Sequence, residues 1–321
     1  MPHSSAAPRP RHRGVLWWAA LVVLVPVAIA ALARATGWEA GPLAILISLM
    51  PWVALLSLVP LTLAVLARSW MLVGAAAVLV ALTVAWQVPL FTGGGGGEPA
   101  LTVAAANLRF GKADAEDVVA LVKTEHVDVL ALTELTPEAM AALEAAGLSG
   151  ELAFHEARPE DDFSGTGLWS RYPLSDGGEL DGFMSHQIRA VIDAPLGQVT
   201  VLAVHPRAPR NSKHDVWERE LAELHSVLAA VDGPVIVAGD FNTTRDHKGF
   251  RDIEALGYVN AADQAGTGFA PTFSVGRGVF PFVVIDHVLE RDTGMAALRT
   301  ETVSIAEADH KALVVEYGPE P

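Results

Sequence analysis

The chain contains no cysteine. Disulfides, a thiol nucleophile and cysteine-ligated zinc are thereby excluded. Basic residues are scarce, with 22 Lys and Arg against 37 Asp and Glu, for a formal net charge of −15. A surface of that sign repels polyanions and argues against tight sequence-independent binding of nucleic acid. The scarcity is uneven. Ahead of Glu98 the charged residues are Arg9, Arg11, Arg13, Arg34, Arg68 and Glu39, which leaves 17 basic and 36 acidic residues from Glu98 to Pro321. With 51% hydrophobic residues the chain does not have the composition of a disordered protein. A nearly uncharged front third precedes an acidic segment of about 220 residues, enough for one large α/β domain with its own core.

The front third is made of long apolar runs. Val15–Ala33 (19 residues), Gly41–Ala67 (27 residues, with Pro51 and Pro60) and Ser69–Phe91 (23 residues) carry no charge. About 20 such residues cross the hydrocarbon core as a helix, and none of the runs has the polar face of a soluble helix. This pattern predicts a three-helix transmembrane region over residues 15–92, after a cytoplasmic N-terminal tail of residues 1–14. The first run alone would also suit a signal peptide, with Arg9, Arg11 and Arg13 ahead of it and Ala31-Leu32-Ala33 as a cleavage site. The two further runs favour a retained bundle. The arginines of the tail and Arg68 place the N-terminus and the second turn in the cytoplasm, so an odd number of spans puts the C-terminal domain outside. The expectation is a multi-pass cell-membrane protein with an extracellular domain at residues 100–321. Gly93–Gly97, within a linker at 93–99, reads as a flexible tether.

From Leu101 onward short β-rich runs alternate with helical segments, and several runs end in a polar residue suited to catalysis. Leu101–Ala106 ends at Asn107, Val127–Thr133 at Glu134, Val199–Val204 at His205, Pro234–Gly239 at Asp240 and Phe282–Ile285 at Asp286-His287. Asp309-His310 precedes a last run, Ala312–Tyr317. Ala113–Thr124, Pro137–Ala146, Lys213–Val231 and Lys248–Leu256 show apolar residues at three- and four-residue spacing and read as helices. Any one of these polar residues could be a turn or a cap. Six in order at strand boundaries point to one rim of an α/β scaffold that gathers a site.

The ordered set Asn107-Leu108-Arg109, Leu132-Thr133-Glu134, His205-Pro206, Gly239-Asp240-Phe241-Asn242, Ile285-Asp286-His287-Val288 and Ala308-Asp309-His310 resembles the endonuclease/exonuclease/phosphatase superfamily. The run Ser164–Leu174 is similar to that family's middle strand. The likeness covers Leu101 to about Tyr317 and implies a DNase I-like fold, a two-sheet, four-layer α/β sandwich. By architecture, the three-span prefix also resembles actinobacterial membrane proteins of the VanJ type, linked to teicoplanin resistance.

Glu134, Asp240 and Asp309 are hard oxygen donors, and Asn107 and Asn242 add neutral oxygens. Such a set suits Mg²⁺, with Mn²⁺ as the alternative, and zinc as second choice. The resemblance implies that Asn107, Glu134 and Asp309 serve the metal. It implies catalytic roles for His205, Asp240, Asn242, Asp286 and His310, and contacts from Asn107, Arg109, Asn242 and His205 to substrate. Asp286 would orient His310, and His205 would protonate a leaving group or bind the phosphoryl. Either Asp240 or His310 could be the base. The family also pairs an acid with the second histidine, and Glu156, Glu160, Asp161 and Asp162 compete for that post. Arg207, Arg210 and Lys213 read equally as an anion-binding cluster or a solvated loop. Phe280-Pro281-Phe282 reads as cleft wall or core, and His287 as structural. His186, His214, His225 and His247 fall in no motif.

The leading functional expectation is a membrane-anchored, metal-dependent phosphohydrolase acting on phosphomonoester, phosphodiester or pyrophosphate bonds of a lipid-linked substrate. A membrane-tethered nuclease shares every catalytic residue but calls for basic patches and stacking aromatics, which makes nucleic acid the less favoured partner. A catalytically dead binding protein is the third reading, disfavoured by the complete motif set.

Overall fold

The computed structural model describes residues 11–94, 97–195, 197–209, 214–274 and 282–320, with side chains from residue 13 onward. It divides into two compact units, Met1–Val88 and Pro89–Pro321.

In the first unit α1 (Arg11–Thr36) is a continuous apolar helix long enough to cross a membrane. The second apolar run is broken. It forms α2 (Pro42–Ser48), α3 (Met50–Leu56) and α4 (Leu58–Leu66), and the helix direction turns by 72° at Leu49. Pro51 lies in the first turn of α3, where its missing N–H and fixed φ start a helix and prevent α2 from running through. The third run yields α5 (Trp70–Ala85), only 16 residues. The expected three uninterrupted spans are therefore one long helix, one bent pair and one short helix. An apolar helix near the N-terminus serves as a membrane anchor or as a signal sequence.

The second unit opens with α6 (Pro89–Thr92) and then builds two six-stranded mixed sheets with helices outside them. The chain runs β1 (Leu101–Asn107), α7 (Ala115–Thr124), β2 (Val129–Thr133), α8 (Pro137–Ala146), α9 (Leu148–Glu151), β3 (Phe154–Arg158) and β4 (Thr166–Ser170). It continues through β5 (Leu174–Glu179), β6 (Ile188–Ala194), β7 (Gly197–Val204), α10 (His214–Ala230), β8 (Val235–Asp240) and α11 (Lys248–Glu254). Last come β9 (Val259–Asn260), α12 (Ala261–Ala265), β10 (Asp286–Arg291), β11 (Met295–Ser304) and β12 (Lys311–Pro319). The strand orders are β11-β12-β1-β2-β4-β3 and β5-β6-β7-β8-β10-β9.

Alternation along the strands divides their side chains between two cores. Val103, Ala105, Val129 and Ala131 of one sheet share the inner core with Val201, Ala203, Ile236, Ala238 and Val288 of the other. The intervening residues point outward: Ala104, Leu130 and Leu132 meet Val118 and Val122 of α7 and Leu143 of α8. Leu202, Val204 and Val237 meet Leu224 and Leu228 of α10 and Phe250 of α11. Strands covered on both faces read as continuous apolar runs, and each fully buried Val, Leu or Ile contributes about 1.5–3 kcal/mol. Local signals set the helix limits. Asp114 accepts the Glu116 and Asp117 N–H groups at the start of α7, and Thr136 caps α8 ahead of Pro137.

Each sheet contains a central parallel pair, β1 with β2 and β7 with β8. Their carboxyl ends bring Asn107, Glu134, His205 and Asp240 to one rim. The antiparallel strands supply the rest from their beginnings, and Asp286 is the cross-strand partner of Asp240. This corrects the expectation that a strand over Phe282–Ile285 ends at Asp286. Among those four residues only Val283 makes an isolated bridge, to Phe273, and the strand starts at Asp286.

Candidate active site

The two sheets are stitched together at the rim by Asn107. Its Nδ2 donates to Glu134 Oε1 at 3.2 Å within its own sheet and to Asp240 Oδ2 at 3.0 Å across the sandwich. Its Oδ1 accepts the Arg109 N–H at 2.8 Å, so the amide turns its donors toward the carboxylates. Glu134 has φ +55 and accepts the Phe110 N–H at 2.7 Å. A non-glycine residue held in that region just past a strand is a frequent mark of a functional position. Burial raises the Glu134 carboxyl above its usual range against the hydrogen bonds from Asn107 and Phe110, and the charge of nearby Asp309 adds to the rise.

Asp240 and His310 form the floor. His310 Nδ1 is 2.9 Å from Asp286 Oδ2, and its Nε2 is 3.8 Å from Asp240 Oδ2. Burial alone would lower its pKa, but Asp286 and Asp240 outweigh that and push it up to about 10. Asp240 Oδ1 accepts the Asn242 N–H at 2.8 Å, and His205 Nε2 lies 3.7 Å from Oδ2. Burial and the neighbouring Asp286 raise Asp240 to about 6. His205 is buried and its pKa is lowered by that burial, so it is neutral near pH 7. Asn242, with φ +49, donates through Nδ2 to Pro206 O at 3.0 Å and ties the two loops together.

Asp309 and Arg109 stand at the edge, partly exposed, with Arg109 Nε 4.0 Å from Asp309 Oδ2 and its guanidinium donating to Glu307 O at 2.9 Å. None of the four acids considered for His205 is bonded to it. Glu156 pairs with Arg158, Glu160 with His186, Asp162 accepts the Ser164 N–H, and Asp161 is exposed. Among the described residues no acid is bonded to His205 Nδ1; the Phe163 backbone lies beside the ring, and the acid that approaches it is Asp240. Arg207 stacks on Phe163 at 3.7 Å, while Arg210, Lys213, Phe280 and Pro281 lie outside the described residues. His287 is buried on Phe250 and bonded to Thr243 O, and burial takes its pKa down to about 4.

Three supporting residues had no signal in the sequence. Gln187 grips His205 from both sides, accepting its N–H at 2.6 Å and donating to its carbonyl at 3.1 Å, like a spare peptide group past the end of β7. Thr272 Oγ1 accepts the Asp286 N–H, and the Phe273 ring lies 4.7 Å from the His310 ring.

The donor set fits a divalent cation. Glu134, Asp240, Asp286 and Asp309 bring hard oxygens together, Asp286 Oδ1 is buried without a hydrogen-bond partner, and burial penalises the charge of Glu134 and Asp240. Among the described residues, Asp240, Asp286 and His310 form an acid–histidine group whose ligand atoms lie within 4.8 Å of one another.

The model of the endonuclease/exonuclease/phosphatase family matches residues 104–310. The chain belongs to that family. Similar solved structures include an endonuclease/exonuclease/phosphatase from Beutenbergia cavernae, 19% identical, covering 69% of this chain and 72% of its own, with a TM-score of 0.54. An AP endonuclease from Archaeoglobus fulgidus is 16% identical over 68% of this chain and 99% of its own, TM-score 0.56. A 3′ phosphatase from Neisseria bound to product DNA hairpin is 16% identical over 68% of this chain and 100% of its own, TM-score 0.54. At these identities the family members share the fold. No curated protein matches the chain.

Proposed function

We propose that the second unit of this family member is a divalent-metal-dependent phosphohydrolase, with Mg²⁺ as the ion, cleaving a phosphomonoester, phosphodiester or pyrophosphate bond. The observation that carries this reading is the pair of buried imidazoles on either side of Asp240, one paired with Asp286 and one without an acid of its own. Glu134 and Asp309 would hold the cation. A bound divalent ion polarises a phosphoryl oxygen and neutralises charge that develops in the displacement. Within the Asp240–Asp286–His310 group it is His310 that stays off the cation, because an imidazolium has no lone pair for a metal.

With His310 raised to about 10, its role is a cation facing the transferring phosphoryl. Asp240, raised to about 6 and ionised near neutrality, is then the better base for an attacking water. His205, neutral and lowered by burial, fits a proton donor-acceptor at the leaving group. Asn107 and Asn242 present or orient amide donors at the rim, and Arg109 adds a cation at its edge.

We further propose that the first unit anchors the enzyme in the membrane and that the catalytic unit lies outside the cytoplasm, next to lipid-linked phosphates. Trp18, Val22, Leu32, Leu55, Leu66, Met71 and Val78 are exposed on the helix surfaces, a coat that water disfavours and lipid does not. Arg34, at the end of α1, stacks over Trp86 just past α5, which ties those two helix ends together. The nuclease alternative is supported by the names of two structural relatives, an AP endonuclease and a phosphatase bound to DNA. A panel of lipid pyrophosphates, phospholipids, DNA and RNA with Mg²⁺ separates the two. Preferential hydrolysis of a lipid phosphate is expected; turnover confined to DNA or RNA would replace this reading with the nuclease.

A further inference from the structure

Residues 89–94 fold with the catalytic unit. Leu90 of α6 is only 5% exposed. Its carbonyl accepts the Gly268 N–H at 2.7 Å, and the Gly94 N–H donates to Gln264 O at 3.0 Å, so the segment is fastened at two points, one at the end of α12 and one on the turn after it. Between them Gly93 crosses Gly266 backbone to backbone. A β-carbon on Gly93 would lie 2.3 Å from Gln264 O and 2.6 Å from Gly266 N, and Gly266 has φ +63. Only glycine permits that approach. The glycine run therefore begins as a docked strap rather than a free tether, with Gly95 and Gly96 outside the described residues. Further on, the Ala100 N–H donates to Tyr317 O at 2.7 Å and leads into β1.

The gripped turn reaches the active-site wall four residues after Gly268. Thr272 Oγ1 accepts the Ile285 and Asp286 N–H groups, each at 3.3 Å, and Thr272 O accepts the Lys311 N–H at 2.8 Å. Thr272 is thus bonded to both strands that bear the Asp286–His310 pair, and Phe273 packs its ring on His310. Residues 267–271 are partly exposed, and the Gly268–Leu90 bond anchors the stretch together with the Thr267–Thr300 hydroxyl pair.

We propose that Leu90 and Gly93 are positioning residues of the active site: the strap at 89–94, docked on the 264–268 turn, holds the Thr272–Phe273 wall against which Asp286 and His310 are set. The consequence differs from that of a tether. A tether affects only membrane-embedded substrate, whereas loss of this strap lowers turnover on a small soluble phosphoester as well.

The test uses the full chain in detergent micelles and compares wild type, Gly93→Val and Leu90→Asp by hydrogen exchange of peptides. Gly93→Ala is the milder substitute where valine prevents folding, and Leu90→Met is the conservative control. Exchange is expected to rise at 89–94 and 264–268 and also at 271–274 and 284–287, while β7 and β8 keep wild-type protection. A rise confined to 89–94 and 264–268, or no change in any peptide, overturns the proposal. The kinetic arm rests on the hydrolase reading: kcat on bis-p-nitrophenyl phosphate is expected to fall roughly tenfold or more with KM little changed, and Leu90→Met to restore it. A wild-type chain without turnover would defeat the hydrolase reading and leave the exchange data to decide the strap.

Discussion

His310 is held between two buried carboxylates, with Nδ1 2.9 Å from Asp286 Oδ2 and Nε2 3.8 Å from Asp240 Oδ2. The folded pKa of about 10 lies above the unfolded value near 6.5. The stabilisation from this cation is therefore complete below about pH 6.5 and is lost as pH rises through about 10. Denaturant unfolding of the metal-free protein at pH 7, 8.5 and 10 should show stability falling by on the order of 1–3 kcal/mol. Asp286→Asn should flatten that slope. Equal slopes in the two proteins would contradict the pairing.

The glycine of Gly-Asp-Phe-Asn has a packing reason. Gly239 sits at φ +146, and a β-carbon there would lie 2.1 Å from Val204 O on the neighbouring strand. Gly239→Ala should force β7 and β8 apart next to His205 and Asp240. We expect a destabilisation of about 2 kcal/mol or more, measured as a shift in the urea midpoint. An unchanged midpoint would show that the rim tolerates a side chain at this position.

Glu134 accepts from Asn107 and Phe110 while burial penalises its charge. Glu134→Gln retains the shape but removes a charged metal ligand. Turnover with Mg²⁺ should fall by on the order of 10²-fold, with Tm of the metal-free protein unchanged or raised. Wild-type turnover in this variant would remove Glu134 from the metal site.

A second pH effect lies away from the cleft. Burial raises Glu254 to about 7, against the attraction of Arg245 and with repulsion from Asp263 and Asp246. A carboxyl whose folded pKa is raised stabilises the fold in its protonated form, so its contribution is lost between about pH 4.5 and 7. Glu254→Gln should therefore gain stability relative to wild type at pH 8, by on the order of 1 kcal/mol, and little at pH 5. Comparing thermal unfolding at the two pH values checks the sign.

Much of this arrangement could be read from residue order. α8 follows its expected limits, Pro137–Ala146, because Thr136 and Gly147 mark both ends chemically. Asn107, Glu134, His205 and Asp240 were visible because parallel strands end at a common rim. Asp286 was placed at the wrong end of its strand, since periodicity reports exposure and not direction, and an antiparallel strand presents its beginning there. Gln187 and Thr272 carry no signal in the sequence because a hydrogen bond to a distant backbone group leaves no periodic trace. Gly93 read as a linker because composition shows permissive backbone but not the partner that requires it. The bend at Leu49 escaped because hydropathy averages over Pro51.

The most direct test of the account is hydrolysis of bis-p-nitrophenyl phosphate by the purified full chain, with Mg²⁺ and after chelation, beside Asp240→Asn and His310→Ala. Mg²⁺-dependent release of p-nitrophenolate is expected, abolished by chelation and lowered by each substitution by on the order of 10²-fold or more. Release that survives chelation, release at the wild-type rate in either variant, or no release with any divalent ion would contradict this reading.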